Sequence, residues 1–168
     1  MQMPQQDDKG HMPSSQMRGG NMLALAVFLL VAVGGGLAIG AVTLPGEWYA
    51  GLVKPWFNPP NWIFGPVWSV LYVFIAIAGW RTWQRERFGP AMKAWVAQML
   101  ANFAWSPVFF SAQRTGLALA VILLVLVFVL VFIRLTWPRD RVAAVLFLPY
   151  AAWVAFATAL NGAIFWLN

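Results

Sequence analysis

Long apolar segments constrain the fold of this chain more than any other feature. Residues 117–133 contain no polar side chain, and four further segments are nearly as apolar. The five segments cover residues 22–44, 61–83, 93–112, 117–133 and 142–167. Each approaches the ~20 residues that a helix needs to cross a ~30 Å hydrocarbon layer. Because the backbone must satisfy its own hydrogen bonds in lipid, the pattern predicts an all-α membrane protein, a bundle of five transmembrane helices. The alternating segments of about 10 residues that a β-barrel requires are absent.

The chain divides into a short polar tail and one membrane domain. Residues 1–20 are polar and lack apolar periodicity, which predicts a disordered tail; residues 21–168 form the predicted transmembrane domain. His11 lies in the tail with no second metal ligand near it. Arg18 and the apolar run after it resemble a signal peptide, but the run continues to residue 44, which is long for one.

The composition excludes most kinds of catalytic and metal-binding site. The chain has no cysteine, one histidine, five carboxylates and only 10% charged residues. Thiol, metal and classical acid/base sites are therefore nearly excluded, and no metal or other cofactor is required. Eleven tryptophans remain, and such rings either anchor helices at a membrane interface or stack on a large planar ligand. The net charge of +6 does not indicate nucleic-acid binding, because the basic residues flank apolar segments rather than forming a basic domain.

Lysine and arginine are distributed unequally between the two predicted sides of the bundle. The N-terminal tail, second loop and fourth loop carry nine of them, whereas the first and third loops carry only Lys54 and Arg114. This bias predicts a cytoplasmic N-terminus in a bacterial cell membrane. The alternative location is a bacterial or mitochondrial outer membrane, to which the enrichment of lysine and arginine on the cytoplasmic side does not apply.

The first loop, residues 45–60, is unusually rich in aromatic residues and proline. It is expected either to fold over the bundle as a lid or to form an interfacial aromatic belt, and the two are compatible. Asn58 and Pro59 predict an N-cap and a first helical proline, which would start the second helix there.

Three helices offer inward faces that combine aromatic and polar side chains. Helical spacing places on common faces Trp68 with Tyr72, Gln98 with Asn102 and Trp105, and Trp153 with Ala157, Leu160 and Asn161. Polar groups in lipid are costly unless paired, so these faces predict either interhelical hydrogen bonds or a ligand cavity.

Pro66, Pro107 and Pro149 are expected to kink their helices. Gly36 and Gly40 form a G-x-x-x-G pattern that permits close packing within the bundle or in a dimer. The fourth segment is expected to be lipid-facing scaffold.

Three stretches together resemble the TspO/MBR family, the translocator proteins and the bacterial tryptophan-rich sensory proteins. They are W-Y-A-G-L-V-K-P-W-F-N-P-P-N-W-I-F-G-P-V-W-S-V-L-Y (48–72), Q-M-L-A-N-F-A-W-S-P-V-F-F (98–110) and P-Y-A-A-W-V-A-F-A-T-A-L-N (149–161). The resemblance covers about residues 22–168 and implies five transmembrane helices, frequent homodimers, and binding of protoporphyrin IX and benzodiazepine-type ligands.

The resemblance also implies site residues. Pocket-lining positions of the family correspond to Tyr49, Tyr72, Gln98, Asn102, Ala157 and Leu160; Trp68, Trp105 and Trp153 would add aromatic walls. Some bacterial members degrade porphyrin in light, and the implicated pair would be Trp68 and Trp153. The implied function is a tetrapyrrole receptor, sensor or carrier. The alternatives are a light-dependent porphyrin-degrading enzyme, a lipid or cholesterol transporter, and a structural membrane protein. Cholesterol handling is disfavoured, because Gly162 and the residues after it lack the tyrosine and arginine of the sterol pattern found in animal members.

Overall fold

The computed structural model describes residues 14–168, with side chains from Asn21 onward, and this part of the chain is helical without strands. Helix α1 (Ser14–Leu29) continues through a π-helical turn (Leu30–Gly34) into α2 (Gly35–Val42). A short helix α3 (Glu47–Gly51) lies in the first loop, and a 3₁₀ turn (Asn61–Ile63) leads into α4 (Phe64–Arg85). Helix α5 (Pro90–Ser106) is extended by a second π-helical turn (Pro107–Ser111) and is followed by α6 (Thr115–Thr136) and α7 (Arg141–Leu167).

Four of the five predicted membrane-spanning helices have the required length and apolar character. They are Asn21–Val42, Asn61–Arg85, Thr115–Thr136 and Arg141–Leu167. The α5 segment is not among them, because Lys93, Gln98 and Asn102 reduce its apolar content. The chain is thus an integral multi-pass membrane protein by its helices, and a membrane crossing by α5 stays a prediction.

The predicted N-terminal tail overlaps the first helix. Backbone from Ser14 onward is helical, whereas disorder was expected up to residue 20. Residues 1–13, including His11, lie outside the described residues.

The bundle presents an apolar outer surface. On α6, exposed Leu123, Leu124 and Val127 alternate with Val125 and Val129, which are buried against α5 and α7. A large exposed surface of leucine and valine side chains is unfavourable in water. The outward face of α6 is therefore suited to lipid. Helix α6 is also absent from the lining of the cavity described below, which agrees with the scaffold predicted from its sequence.

The first loop and the C-terminus meet at one end of the bundle, which we call the loop end. The Asn168 side chain accepts a hydrogen bond from the Val53 N–H at 3.0 Å and donates one to the Val53 carbonyl at 3.0 Å. This pairing closes the first loop onto the end of α7.

The second and fourth loops meet at the opposite end, the basic end. Asp140 caps α7 by accepting from the Ala143 N–H, and it also accepts from Arg81 and Arg85 of α4 at 3.0 Å. Burial by itself would raise the pKa of the Asp140 carboxyl, but these hydrogen bonds and the two arginine charges outweigh it and lower the pKa. The start of the first span lies at the same end, since Trp80 Nε1 donates to the Asn21 carbonyl at 3.0 Å. The start of the first span, the end of α4 and the start of α7 therefore lie together at the basic end, while the side of the membrane that this end faces stays a prediction.

The prolines act differently from one another. Pro149 lies inside α7 and Pro107 begins a π-helical turn, and the kinks expected at these two positions stay predictions. Pro66 lies instead in the first turn of α4, where its missing N–H removes no interior hydrogen bond. Its position near the start of α4 therefore gives less reason for a kink than the positions of Pro107 and Pro149.

The glycine-rich part of the first span is used for packing inside the bundle. The Phe103 ring lies against Gly35, and the Tyr72 ring lies against Gly36 so closely that a Cβ at either position would overlap it. Gly40, the second glycine of the G-x-x-x-G pattern, has open space around it. Of the two roles left open by the sequence, the structure shows intramolecular packing at Gly36; a dimer stays a prediction.

Candidate functional site

A cavity of about 450 Å³ lies near the loop end, enclosed by α2, α3, α4, α5 and α7. Seven of the nine residues predicted for the ligand site line it: Tyr49, Trp68, Tyr72, Asn102, Trp105, Ala157 and Leu160. Gln98 and Trp153 do not. The volume falls within the ~300–1,000 Å³ typical of small-molecule pockets.

Two stacked aromatic pairs form part of the cavity wall. Trp68 stacks on Tyr72 with ring centroids 5.3 Å apart and planes inclined by 29°. Trp105 stacks on Phe109 at 5.3 Å and 27°. All four residues line the cavity, so a planar ligand would meet aromatic surface supplied by both α4 and the α5 segment.

The first loop contributes to the cavity through its short helix. Tyr49 is 5% exposed, and its ring packs edge-on against Phe109 and Phe110. Its hydroxyl donates to Asn58 Oδ1 at 3.4 Å, and burial raises its pKa, so it stays a neutral phenol. Trp56, by contrast, is 95% exposed. The loop thus directs one aromatic side chain into the cavity wall and another outward, and its roles as a lid and as an interfacial belt stay predictions.

The predicted N-cap at Asn58 is wrong. The helical backbone begins at Asn61, after Pro60, and Asn58 accepts from Tyr49 while its own Nδ2 donates to the Pro59 carbonyl at 3.1 Å. The two consecutive prolines hold the backbone extended before the helix. Asn58 therefore stabilises the loop over the cavity rather than the end of the helix.

A continuous chain of hydrogen bonds leads from the cavity wall into the core. The Tyr72 hydroxyl donates to Asn102 Oδ1 at 2.8 Å, Asn102 Nδ2 donates to the Tyr150 hydroxyl at 2.9 Å, and Tyr150 donates to Gln98 Oε1 at 2.9 Å. Gln98 is fully buried, and its Nε2 has no partner. Gln98 thus lies at the inner end of the chain, where it supports the wall without touching the cavity.

A second set of hydrogen bonds orients Trp105. Its Nε1 donates to Asn161 Oδ1 at 3.1 Å, and Asn161 Nδ2 donates to the Thr115 carbonyl at 2.9 Å. These bonds tie α5, α6 and α7 together beside the cavity. They are the interhelical amide bonds predicted for inward polar faces, and they fix one indole of the cavity wall.

Trp153 lies behind the cavity rather than on its wall. Its ring packs against Phe64, which lines the cavity, at 5.7 Å and against Phe156 at 5.5 Å. Its Nε1 is buried without a partner. Trp68 stacks on Tyr72 and contacts Tyr150, so the predicted tryptophan pair does not form one stacked surface.

The sequence reasoning missed several residues of the site. Tyr150 is fully buried at the centre of the hydrogen-bond chain, and Thr43 and Ser106 share a hydrogen bond of 2.6 Å on the lining. Tyr150 lies one turn before Trp153 in α7, a spacing that could have revealed it. The sequence did not distinguish Thr43 and Ser106 as lining residues, because small hydroxyl residues are common in membrane helices.

Among the described residues, no group of three histidine, cysteine or acidic side chains could hold a metal ion. The polar groups available at the cavity are therefore the indole, phenol, amide and aliphatic hydroxyl groups of its lining. Such groups bind and orient a ligand.

Comparison with known proteins agrees with this architecture. Residues 25–167 match the model of the TspO/MBR family. A tryptophan-rich sensory protein from Cereibacter sphaeroides is 40% identical over 138 residues, covering 82% of this chain and 87% of that protein. Protein CrtK from Rhodobacter capsulatus is 35% identical over 152 residues (88% and 94%), and the human translocator protein is 36% identical over 134 residues (75% and 79%).

Proposed function

The chain belongs to the TspO/MBR family, and we propose that it binds a tetrapyrrole, protoporphyrin IX, in the cavity beneath its first loop. In this role the protein is a membrane receptor, sensor or carrier. The observation that carries the proposal is a cavity whose wall includes two stacked aromatic pairs. Flat aromatic walls suit the flat, apolar ring of a porphyrin.

The ends of the cavity suit the remaining parts of a porphyrin. Lys54 lies 4.7 Å above the Tyr49 ring, and its ammonium group bonds the Ala50 and Leu52 carbonyls at 3.2 Å. Since Tyr49 lines the cavity, propionates directed towards the loop end would approach this cation. The Tyr72 and Asn102 side chains offer polar contacts deeper in the site.

An apolar ligand has a route from the bilayer. The lining includes exposed residues of α2, such as Leu37 and Gly40, and of α4, such as Gly65 and Ser69. The cavity therefore reaches the outer surface between these two helices. A ligand dissolved in lipid would enter there without crossing the aqueous face of the lid.

The proposal places all five helical segments across the membrane, with α5 shielded by its neighbours. The polar side chains of α5 that lower its hydropathy are largely internal, since Gln98 and Asn102 are buried and bonded to Tyr150. The nine-to-two distribution of basic residues supports a cytoplasmic N-terminus in a bacterial cell membrane. A homodimer and competition by benzodiazepine-type ligands belong to the same proposal.

Titration of protoporphyrin IX into the detergent-solubilised chain tests the binding site. Saturable quenching of tryptophan fluorescence and a shifted porphyrin absorbance are expected for the unmodified protein. Ala157→Leu projects extra carbon into the cavity and should weaken binding several-fold. Ala155→Leu is the matched control, because Ala155 is exposed on the same helix. Non-saturable binding, or equal effects of the two variants, would contradict the proposal.

A second candidate function is light-dependent porphyrin degradation. It is favoured by the position of Trp68, an oxidisable indole that lines the cavity and stacks on Tyr72. With no acid/base pair at the site, the reaction would use the excited state of the ligand with dioxygen as oxidant. The protein would supply position and an indole partner.

A further inference from the structure

A groove at the basic end is separate from the porphyrin cavity. It has a volume of about 570 Å³ and lies between the end of α6 and the turn into α7. Its lining combines Leu130, Ile133, Leu135 and the basic Arg134 of α6 with Trp137 and Arg139 of the turn.

The groove has an excess of positive charge. Arg139 donates to Glu86 at 3.3 Å but is 59% exposed, so most of its N–H groups remain available. Arg134 is exposed and forms no ion pair or side-chain hydrogen bond with another residue of the described chain. Among the described residues, the carboxylates at this end are Glu86 and Asp140, and both are already paired with arginines. An anion at the groove would therefore face two guanidinium groups with no unpaired carboxylate from this part of the chain.

The position of the groove relative to the membrane selects the kind of anion. The apolar span of α6 ends at Thr136, so Leu130 and Ile133 lie at hydrocarbon depth and Arg139 lies beyond the end of the span. Trp137 is 45% exposed between them, the position that tryptophan favours at a membrane interface. A small free anion would leave the apolar wall uncovered, and a neutral lipid would leave the arginines unpaired. An amphiphile with an anionic headgroup satisfies both.

We propose that this groove binds an anionic phospholipid. Its phosphate lies between Arg134 and Arg139, and one acyl chain follows Leu130 and Ile133 along α6. The lipid joins the α6–α7 turn to the bilayer surface next to Asp140, which caps α7 and holds α4. This inference is independent of the porphyrin proposal, because none of the groove residues lines the cavity.

Native mass spectrometry of the full chain in detergent, titrated with dioleoyl-phosphatidylglycerol or dioleoyl-phosphatidylcholine, tests the site. Phosphatidylglycerol should bind more tightly, and inorganic phosphate at equal concentration should not displace it. Arg134→Gln should weaken phosphatidylglycerol binding about fivefold, since each basic residue near an anionic surface contributes ~1 kcal/mol. Arg134→Lys, which keeps the charge, should retain most of the affinity.

The matched control is Arg87→Gln, which removes one positive charge at the same end outside the groove, from an arginine stacked on Trp83. It should change phosphatidylglycerol affinity less than twofold. Because Arg134 has no internal partner, its substitution should leave the thermal unfolding temperature in lipid-free detergent unchanged. Equal affinity for the two lipids, displacement by phosphate, or equal losses in Arg134→Gln and Arg87→Gln would overturn the proposal.

Discussion

The Asn102 carboxamide donates a hydrogen bond to the Tyr150 hydroxyl at 2.9 Å, joining α5 to α7 directly behind the cavity wall. Asn102 lines the cavity, whereas Tyr150 is fully buried. The contact therefore couples a residue that a ligand can reach to one that it cannot. The stability of the bundle and the shape of the site depend on the same few polar groups.

Tyr150→Phe should destabilise the protein more than Tyr72→Phe. Removing the Tyr150 hydroxyl leaves both Asn102 Nδ2 and Gln98 Oε1 without partners in the core, which costs about 2–3 kcal/mol. Removing the Tyr72 hydroxyl leaves only Asn102 Oδ1 unpaired, at the cavity wall, and should cost about 1 kcal/mol. Thermal unfolding in detergent compares the two variants, and a larger loss for Tyr72→Phe would contradict this account of the network.

Gly36→Ala should disturb the cavity, whereas Gly40→Ala should not disturb the fold. A Cβ at position 36 would overlap the Tyr72 ring, while nothing lies near a Cβ at position 40. Overpacking of this kind costs about 1–3 kcal/mol and would move Tyr72 away from Trp68. The measurement is the unfolding temperature together with porphyrin affinity. Equal behaviour of the two alanine variants would show that the close approach at Gly36 does not matter.

Apart from the start of α1, which lies at Ser14 rather than near residue 22, the helices could be predicted from the sequence within a few residues, because uninterrupted apolar runs leave few alternatives in lipid. The predicted fourth segment, residues 117–133, lies inside α6 (Thr115–Thr136). The errors occurred where local backbone chemistry decides the structure. Asn58 had the features of a helix cap. In the structure, however, the helical backbone begins only after the two consecutive prolines, and the Asn58 side chain accepts a hydrogen bond from the Tyr49 hydroxyl.

Site residues could be predicted where helical spacing alone fixes the direction of a side chain. Trp68, Tyr72, Asn102 and Trp105 fell on inward faces and do line the cavity. Spacing does not determine depth, however. Gln98 shares the face of Asn102 but lies at the inner end of the hydrogen-bond chain, beyond Tyr150.

Asp140→Asn should lower stability at neutral pH but have less effect in acid. The carboxylate caps α7 and accepts from Arg81 and Arg85. Asparagine can keep the cap but removes the charge that the two arginines pair with, which should cost about 2 kcal/mol. Its pKa is lowered in the folded protein from an ordinary value of 3.8, so its contribution is present above pH 3.8. The contribution is lost as the pH falls through the lowered folded pKa. The unfolding temperatures of the two proteins should therefore converge only below pH 3.8; convergence at a higher pH would contradict the lowered pKa.

Single cysteines at the two ends should be labelled from opposite sides of the membrane. Gly51→Cys lies at the loop end, where a Cβ meets nothing within 4 Å, and Phe88→Cys lies at the basic end, where the native side chain is 87% exposed. The chain has no native cysteine, so the background is clean. An impermeant thiol reagent applied outside intact bacterial cells, with the outer membrane permeabilised where one is present, should label Gly51→Cys alone. Labelling of both sites from outside would refute the proposed five crossings.

Light-dependent loss of porphyrin should depend more on Trp68 than on Trp153. Trp68 lines the cavity and stacks on Tyr72, whereas Trp153 lies behind Phe64 with its Nε1 buried. Electron transfer from an indole to an excited ligand requires close approach, so Trp68→Phe should slow the bleaching of bound protoporphyrin IX several-fold in air. Trp153→Phe should have a smaller effect, and both variants should keep most of their affinity because phenylalanine retains an aromatic face.

Trp166→Phe is the control for this photochemistry, because Trp166 is 87% exposed and is not part of the cavity lining. It should leave bleaching unchanged, and removal of dioxygen should suppress bleaching in every variant. Equal bleaching by the unmodified protein, Trp68→Phe and the Trp68→Phe/Trp153→Phe double variant would defeat the enzymatic candidate while leaving the receptor proposal intact. Absence of saturable porphyrin binding to the unmodified protein would defeat both, because the photochemistry requires the ligand to occupy the aromatic cavity.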